Sequence, residues 1–97
     1  MDDRSIQTVG VVGCGLMGSG IAQICAQAGY RTIVREVDQA ELEIGLSRIE
    51  ESLEDGVARG KVTTDVRDAT MSRLEGTTSF ERLSQSDLVI EAIVEDL

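Results

Sequence analysis

The run Gly13-Cys14-Gly15-Leu16-Met17-Gly18 follows an apolar stretch, Thr8-Val9-Gly10-Val11-Val12, and precedes apolar residues at helical spacing, Ile21, Ile24, Cys25 and Ala28. A β-branched run, a glycine-spaced turn and a helix, in that order, leave few architectures open. Gly13 can take the backbone angles a tight turn needs. Gly15 has no Cβ, so another group can approach the backbone there, and Gly18 lets the helix pack near the strand. Gly29 closes the helix as a C′ glycine. Arg31-Thr32-Ile33-Val34-Arg35-Glu36 then reads as a second strand with the acid at its far end. The βαβ unit fits in about 30 residues, the length such a unit needs.

What this turn suits is a dinucleotide. The first amides of the helix have no partner within it, and the helix dipole adds partial positive charge, so a pyrophosphate is favoured there. Glu36 lies eighteen residues past the last glycine, where an acid can accept hydrogen bonds from an adenosine ribose. The competing reading is a structural glycine turn. The flanking strand, helix and acid favour the dinucleotide.

Composition narrows the alternatives. The 97 residues allow one domain. Nine Lys and Arg against eighteen Asp and Glu give a formal charge of −9, which argues against a nucleic-acid surface. A bound dinucleotide responds to local amides and is not excluded by that charge. The aromatics are Tyr30 and Phe80 alone, so the core is aliphatic and stacking surface is scarce. No apolar run approaches the roughly 18 residues of a membrane span, and Met1-Asp2-Asp3-Arg4 does not resemble a secretory signal. Two cysteines, Cys14 in the turn and Cys25 in the helix, suit a reducing cytoplasm. With no histidine and no C-x-x-C, metal ligation has no basis.

Further along, Asp38-Gln39-Ala40-Glu41 is an acidic capping pattern. Leu42, Leu46, Ile49, Leu53 and Val57 form one stripe of a long helix, which Gly56 and Gly60 loosen and end. A shorter helix is predicted from Thr64 or Asp65 to Leu74, stopped by Gly76, with Thr77-Thr78 a short strand. Ser79 caps a single turn over 80–83, and Asp87 to Ile93 reads as a parallel strand. The order predicts an α/β fold built as a doubly wound parallel sheet, whose ligands sit beyond the carboxyl ends of the strands. The glycine turn, Glu36 and the segment 91–95 meet at that edge.

Four blocks then carry a family resemblance: Val12-Gly13-Cys14-Gly15-Leu16-Met17-Gly18-Ser19-Gly20-Ile21-Ala22-Gln23, Gly29-Tyr30, Ile49-Glu50-Glu51-Ser52-Leu53, and Ser86 to Leu97. From about residue 6 onward the chain resembles the N-terminal, Rossmann-type NAD-binding domain of the 3-hydroxyacyl-CoA dehydrogenases, the bacterial 3-hydroxybutyryl-CoA dehydrogenases in particular. The resemblance implies NAD as cofactor and oxidation of an L-3-hydroxyacyl-CoA in a homo-oligomeric, cytoplasmic parent enzyme of fatty acid metabolism. It places Gly13, Cys14, Gly15, Leu16, Met17 and Gly18 on the pyrophosphate, and Glu36 on the ribose, where the family usually has aspartate. It places Ala92, Ile93 and Glu95 beside NAD, and Ser52 and Arg59 against CoA. The charge of Glu36 would repel the 2′-phosphate of NADP; Arg35 is a cation beside it.

One departure limits what the chain is expected to do alone. The family's catalytic histidine and its partner residues lie downstream of the block that closes with Asp96-Leu97. A base is needed to take the hydroxyl proton when hydride leaves. The expectation is therefore an incomplete sheet, the N-terminal portion of the enzyme, with no catalytic residue and no turnover by itself. The helical domain that in the family handles substrate and dimerisation is expected to be missing. Two other readings remain: a stand-alone NAD- or nucleotide-binding module, and a fragment of a 6-phosphogluconate-type 3-hydroxyacid dehydrogenase. An uncovered sheet edge in so small a unit also predicts marginal stability.

Overall fold

The structure is a computed structural model and describes residues 5–13 and 15–92. Its elements run β1 (Thr8–Val12), α1 (Leu16–Gln27), β2 (Arg31–Arg35), α2 (Gln39–Ala58), α3 (Thr64–Ser72), β3 (Leu74–Thr77), α4 (Phe80–Leu83) and β4 (Leu88–Glu91). The strands form one parallel sheet in the order β3-β2-β1-β4. The chain steps from β1 to β2 to β3 in one direction and then returns to lay β4 on the far side of β1. The order therefore reverses between β1 and β4, the crevice in which such Rossmann-like sheets take ligands.

Alternation along the strands sorts the two faces. Val9 and Val11 of β1 and Val34 of β2 join Ala22, Leu42, Ile49 and Leu53 in the core beneath α1 and α2. Gly10, between the two valines, faces the other way. A Cβ there would lie 2.5 Å from Ser86 Oγ and 2.7 Å from a Leu83 methyl, so α4 and the turn after it cover the second face closely. Helices thus lie on both faces, as a doubly wound sheet requires.

The helix starts follow the expected chemistry. Asp38 Oδ1 accepts from Glu41 N at 2.8 Å and Thr63 Oγ1 accepts from Val66 N at 3.1 Å. Ser79 Oγ accepts from Arg82 N at 3.3 Å. Each satisfies an amide that the helix itself leaves open.

Three expectations need correction. In α1 the buried residues are Gly18, Ser19, Ala22 and Ala26, while Ile24 is 71% exposed and Ala28 is exposed. The helix lies so close to the strands that only small side chains fit between them. Ile21 and Cys25 fill the margins and Ile24 is turned out. Burial also pushes the Cys25 thiol up from its ordinary value, which suits a packing role.

The second correction concerns residues 72–78. The helix stops at Ser72, and Leu74–Thr77 is the strand, with Gly76 inside it. Pairing with β2 (Thr32 with Leu74 through Arg35 with Thr77) outweighs the local helical pattern. At Gly76 a Cβ would lie 2.9–3.1 Å from Leu42 and Leu46 methyls, so a side chain there would make those leucines shift. Third, β4 is shorter than expected: Asp87 stands before it, and its Oδ2 accepts from the amides of Gln7 and Thr8, both at 2.9 Å. Those two bonds hold the Asp87 carboxyl below the usual range.

Candidate functional site

Three backbone hydrogen bonds tie the four strand ends together at the carboxyl edge of the sheet. Gly13 N donates to Arg35 O at 2.9 Å, joining the glycine turn to the end of β2. Glu36 N donates to Thr77 O at 3.1 Å, and Ala92 N donates to Val12 O at 2.9 Å. Gly13, Glu36 and Ala92 thus sit on neighbouring strand exits, as the sequence predicted. Cys14, Ile93 and Glu95 lie outside the described residues.

The three glycines of the turn have three different physical causes. Gly13 has φ +91°, a left-handed conformation that a side chain disfavours. At Gly18 a Cβ would lie 1.8 Å from Gly13 O and 2.8 Å from Gly13 C, so α1 packs backbone against backbone on the turn. Ala92 borders the same spot, 3.5 Å away. Gly15 differs from both: its φ is −70°, and a Cβ would meet nothing within 4 Å. Among the described residues, neither strain nor packing asks for glycine there. A group approaching from outside would, and the donor set around it suits an anion.

That donor set is the start of α1. Gly15 is its N-cap, no side chain caps it, and no acid stands in its first turn. The first bond within the helix is Ser19 N to Gly15 O at 2.8 Å, so the earlier amides point outward from an unneutralised dipole end. Leu16 and Met17, in that first turn, are 83% and 57% exposed. Such a cradle fits a pyrophosphate. Glu36 is half-buried at the exit of β2, and its Oε1 accepts from Val37 N at 3.1 Å.

The two residues assigned to CoA part company. Ser52 lines a groove of about 420 Å³ between α1 and α2, together with Leu16, Ser19, Gln23 and Arg48. The groove opens beside the first turn of α1 and so joins the dinucleotide cradle. Arg59 is not in that lining; it forms a solvent-exposed i,i+4 pair with Asp55 at 3.1 Å. Arg48, one helical turn before Ser52, is a groove residue that the sequence motifs did not single out. The signal that could have found it is the spacing of four, which puts both on one face of α2.

The comparisons with known proteins agree with this geometry. Residues 8–97 match the family described as 3-hydroxyacyl-CoA dehydrogenase, NAD binding domain. A 3-hydroxybutyryl-CoA dehydrogenase of Mycobacterium tuberculosis is 50% identical over 92 residues, which are 95% of this chain and 32% of that protein. The glyoxysomal fatty acid beta-oxidation multifunctional protein MFP-a of Brassica napus is 38% identical, over 97% of this chain and 13% of that one. Among solved structures, FadB2 of M. tuberculosis superposes with a TM-score of 0.91 at 50% identity, over 95% of this chain and 32% of that chain. The (S)-3-hydroxybutyryl-CoA dehydrogenase PaaH1 of Ralstonia eutropha gives 0.91 at 36% identity, over 96% and 33%. The chain thus spans at most about a third of the length of these relatives. With the family matched from β1 onward and the cradle at the carboxyl edge of its sheet, the chain belongs to the 3-hydroxyacyl-CoA dehydrogenase family, through that family's NAD-binding domain.

Proposed function

We propose that the chain holds NAD for an L-3-hydroxyacyl-CoA dehydrogenase, in which residues of the parent enzyme outside this chain bind the acyl group and deprotonate the hydroxyl. The observation that carries the reading is Gly15, a glycine with ordinary φ and open space above it, at the uncapped start of α1. The amides that follow it hold the pyrophosphate, with Gly13 and Gly18 fixing the turn and Leu16 and Met17 lining it; the family resemblance adds Cys14 to the same contact. Glu36 accepts from the ribose hydroxyls, and its charge disfavours a 2′-phosphate. Ala92, with Ile93 and Glu95 beyond it, borders the nicotinamide half. When bound, NAD supplies the hydride acceptor.

Ser52 and Arg48 serve the CoA moiety along the α1–α2 groove, and Arg59 serves it only if it leaves Asp55. A cytoplasmic, homo-oligomeric parent enzyme belongs to the same proposal and is what the family resemblance of the sequence implies. Calorimetric titration of NAD and NADP tests the core of it. Glu36→Gln is expected to weaken NAD about 10-fold or more, the value of a hydrogen bond to a charged group, and to narrow the gap to NADP. Folded protein giving no heat with millimolar NAD would overturn the proposal.

A further inference from the structure

Arg35 immediately precedes the ribose acid, and an arginine near that acid is what accommodates the 2′-phosphate of NADP. Adjacent Cα atoms are only about 3.8 Å apart, so its guanidinium starts within reach of the space Glu36 guards. In the structure it is turned away. Val34 faces the core under α1 and α2, so Arg35 projects from the opposite face of β2. There its guanidinium carbon lies 3.6 Å from the centroid of the Phe80 ring. Its Nε donates to Thr78 O at 3.2 Å.

Thr78 lies in the link from β3 to α4 and Phe80 is the first residue of α4, and the pairing of Arg35 with Thr77 brings both alongside. Phe80 is 63% exposed, so the ring is not held there as core. It is the sole phenylalanine of the chain, and its face is occupied by this one cation.

We propose that Phe80 is a specificity-positioning residue: by holding Arg35 on the far face of β2, it withholds from NADP the cation that would recruit the 2′-phosphate. Discrimination then has two parts. Glu36 repels the phosphate, and Phe80 with Thr78 O keeps its natural partner away. The inference rests on the assignment of Glu36 to the ribose.

The test compares NAD and NADP affinities of Phe80→Leu, Arg35→Gln, the double variant and Glu36→Gln. Leucine keeps an apolar side chain and removes the ring face. Phe80→Leu is expected to raise NADP affinity relative to NAD about 2- to 5-fold, the equivalent of a surface cation–π contact. Arg35→Gln alone should leave the ratio unchanged, since the arginine is already withheld. The double variant should return to the wild-type ratio. In the ligand-free protein, the Arg35 Nε–H resonance is expected upfield in wild type and at its ordinary position in Phe80→Leu.

A resonance that does not move, or a flat ratio in Phe80→Leu, overturns the latch. So does a loss of NADP affinity in Arg35→Gln alone, which would mean that the arginine already reaches the phosphate. A flat ratio in Glu36→Gln instead overturns the ribose assignment beneath it. If Glu36→Gln shifts the ratio and Phe80→Leu does not, the latch alone fails.

Discussion

Replacing Gly18 and Gly15 by alanine in turn separates what the turn needs for folding from what it needs for binding. At Gly18 the new methyl would sit 1.8 Å from Gly13 O and 2.8 Å from Gly13 C. Those are backbone atoms of a turn whose own amide is tied to Arg35 O, so no side chain can swing clear. Overpacking costs about 1–3 kcal/mol, and a backbone neighbour puts this site at the upper end. Alanine regains about 1 kcal/mol of helix propensity over glycine, leaving a net loss of about 2 kcal/mol. Gly20 supplies the control: it lies in the same helix, a Cβ there meets nothing within 4 Å, and it is exposed. Gly20→Ala should therefore gain up to about 1 kcal/mol. Gly15→Ala should change stability by no more than about 1 kcal/mol, the scale of an N-cap exchange, because φ −70° suits alanine and the space is open. It should nonetheless weaken NAD about 10-fold or more, roughly 1.4 kcal/mol, by standing where the pyrophosphate meets the amides. Urea midpoints followed by circular dichroism give the stabilities, and calorimetric titration gives the affinities. Equal stability of the Gly18 and Gly20 variants, or wild-type NAD binding by Gly15→Ala, would refute the reasoning.

Gly10→Ala should destabilise by about 1–2 kcal/mol, the lower part of the overpacking range because Ser86 Oγ and the Leu83 methyl can shift; urea unfolding reads this directly. Leu53 is fully buried between α2 and the sheet, so Leu53→Ala should cost about 2–5 kcal/mol with little change in NAD affinity of the folded fraction. The Asp87 carboxyl, lowered by the Gln7 and Thr8 amides, stabilises the fold above its ordinary value of 3.8, and that contribution is lost as pH falls through the lower folded value. Urea midpoints of wild type and Asp87→Asn should therefore converge as the pH is taken below about 4; a gap that stays constant down to about pH 2 would contradict this.

Much of the site was legible in the residues because it is local. Strand, turn and helix at 8–28 are neighbours in sequence, and the close packing of the turn, Gly18 on Gly13, spans only five positions. The caps read at Asp38 and Ser79 are equally short-range, which is why their helices begin where the pattern places them. Misreadings fall where long-range contacts decide. Leu74 to Thr77 follows helical spacing locally but pairs with β2 some forty residues earlier in the chain. Ile24 fits the apolar period of α1, yet the close approach of that helix to the strands buries Ala22 and Ala26 in its stead.

From the sequence alone follow the cofactor class and the meeting of the glycine turn with Glu36 at one sheet edge, since spacing along one βαβ unit encodes them. The tertiary structure decided which glycine is shaped by strain, which by packing and which by neither; only a neighbouring atom, or the lack of one, distinguishes them. It also decided that Arg35 faces Phe80, because a strand's alternation and a partner segment more than forty residues away set where a cation beside an acid can point.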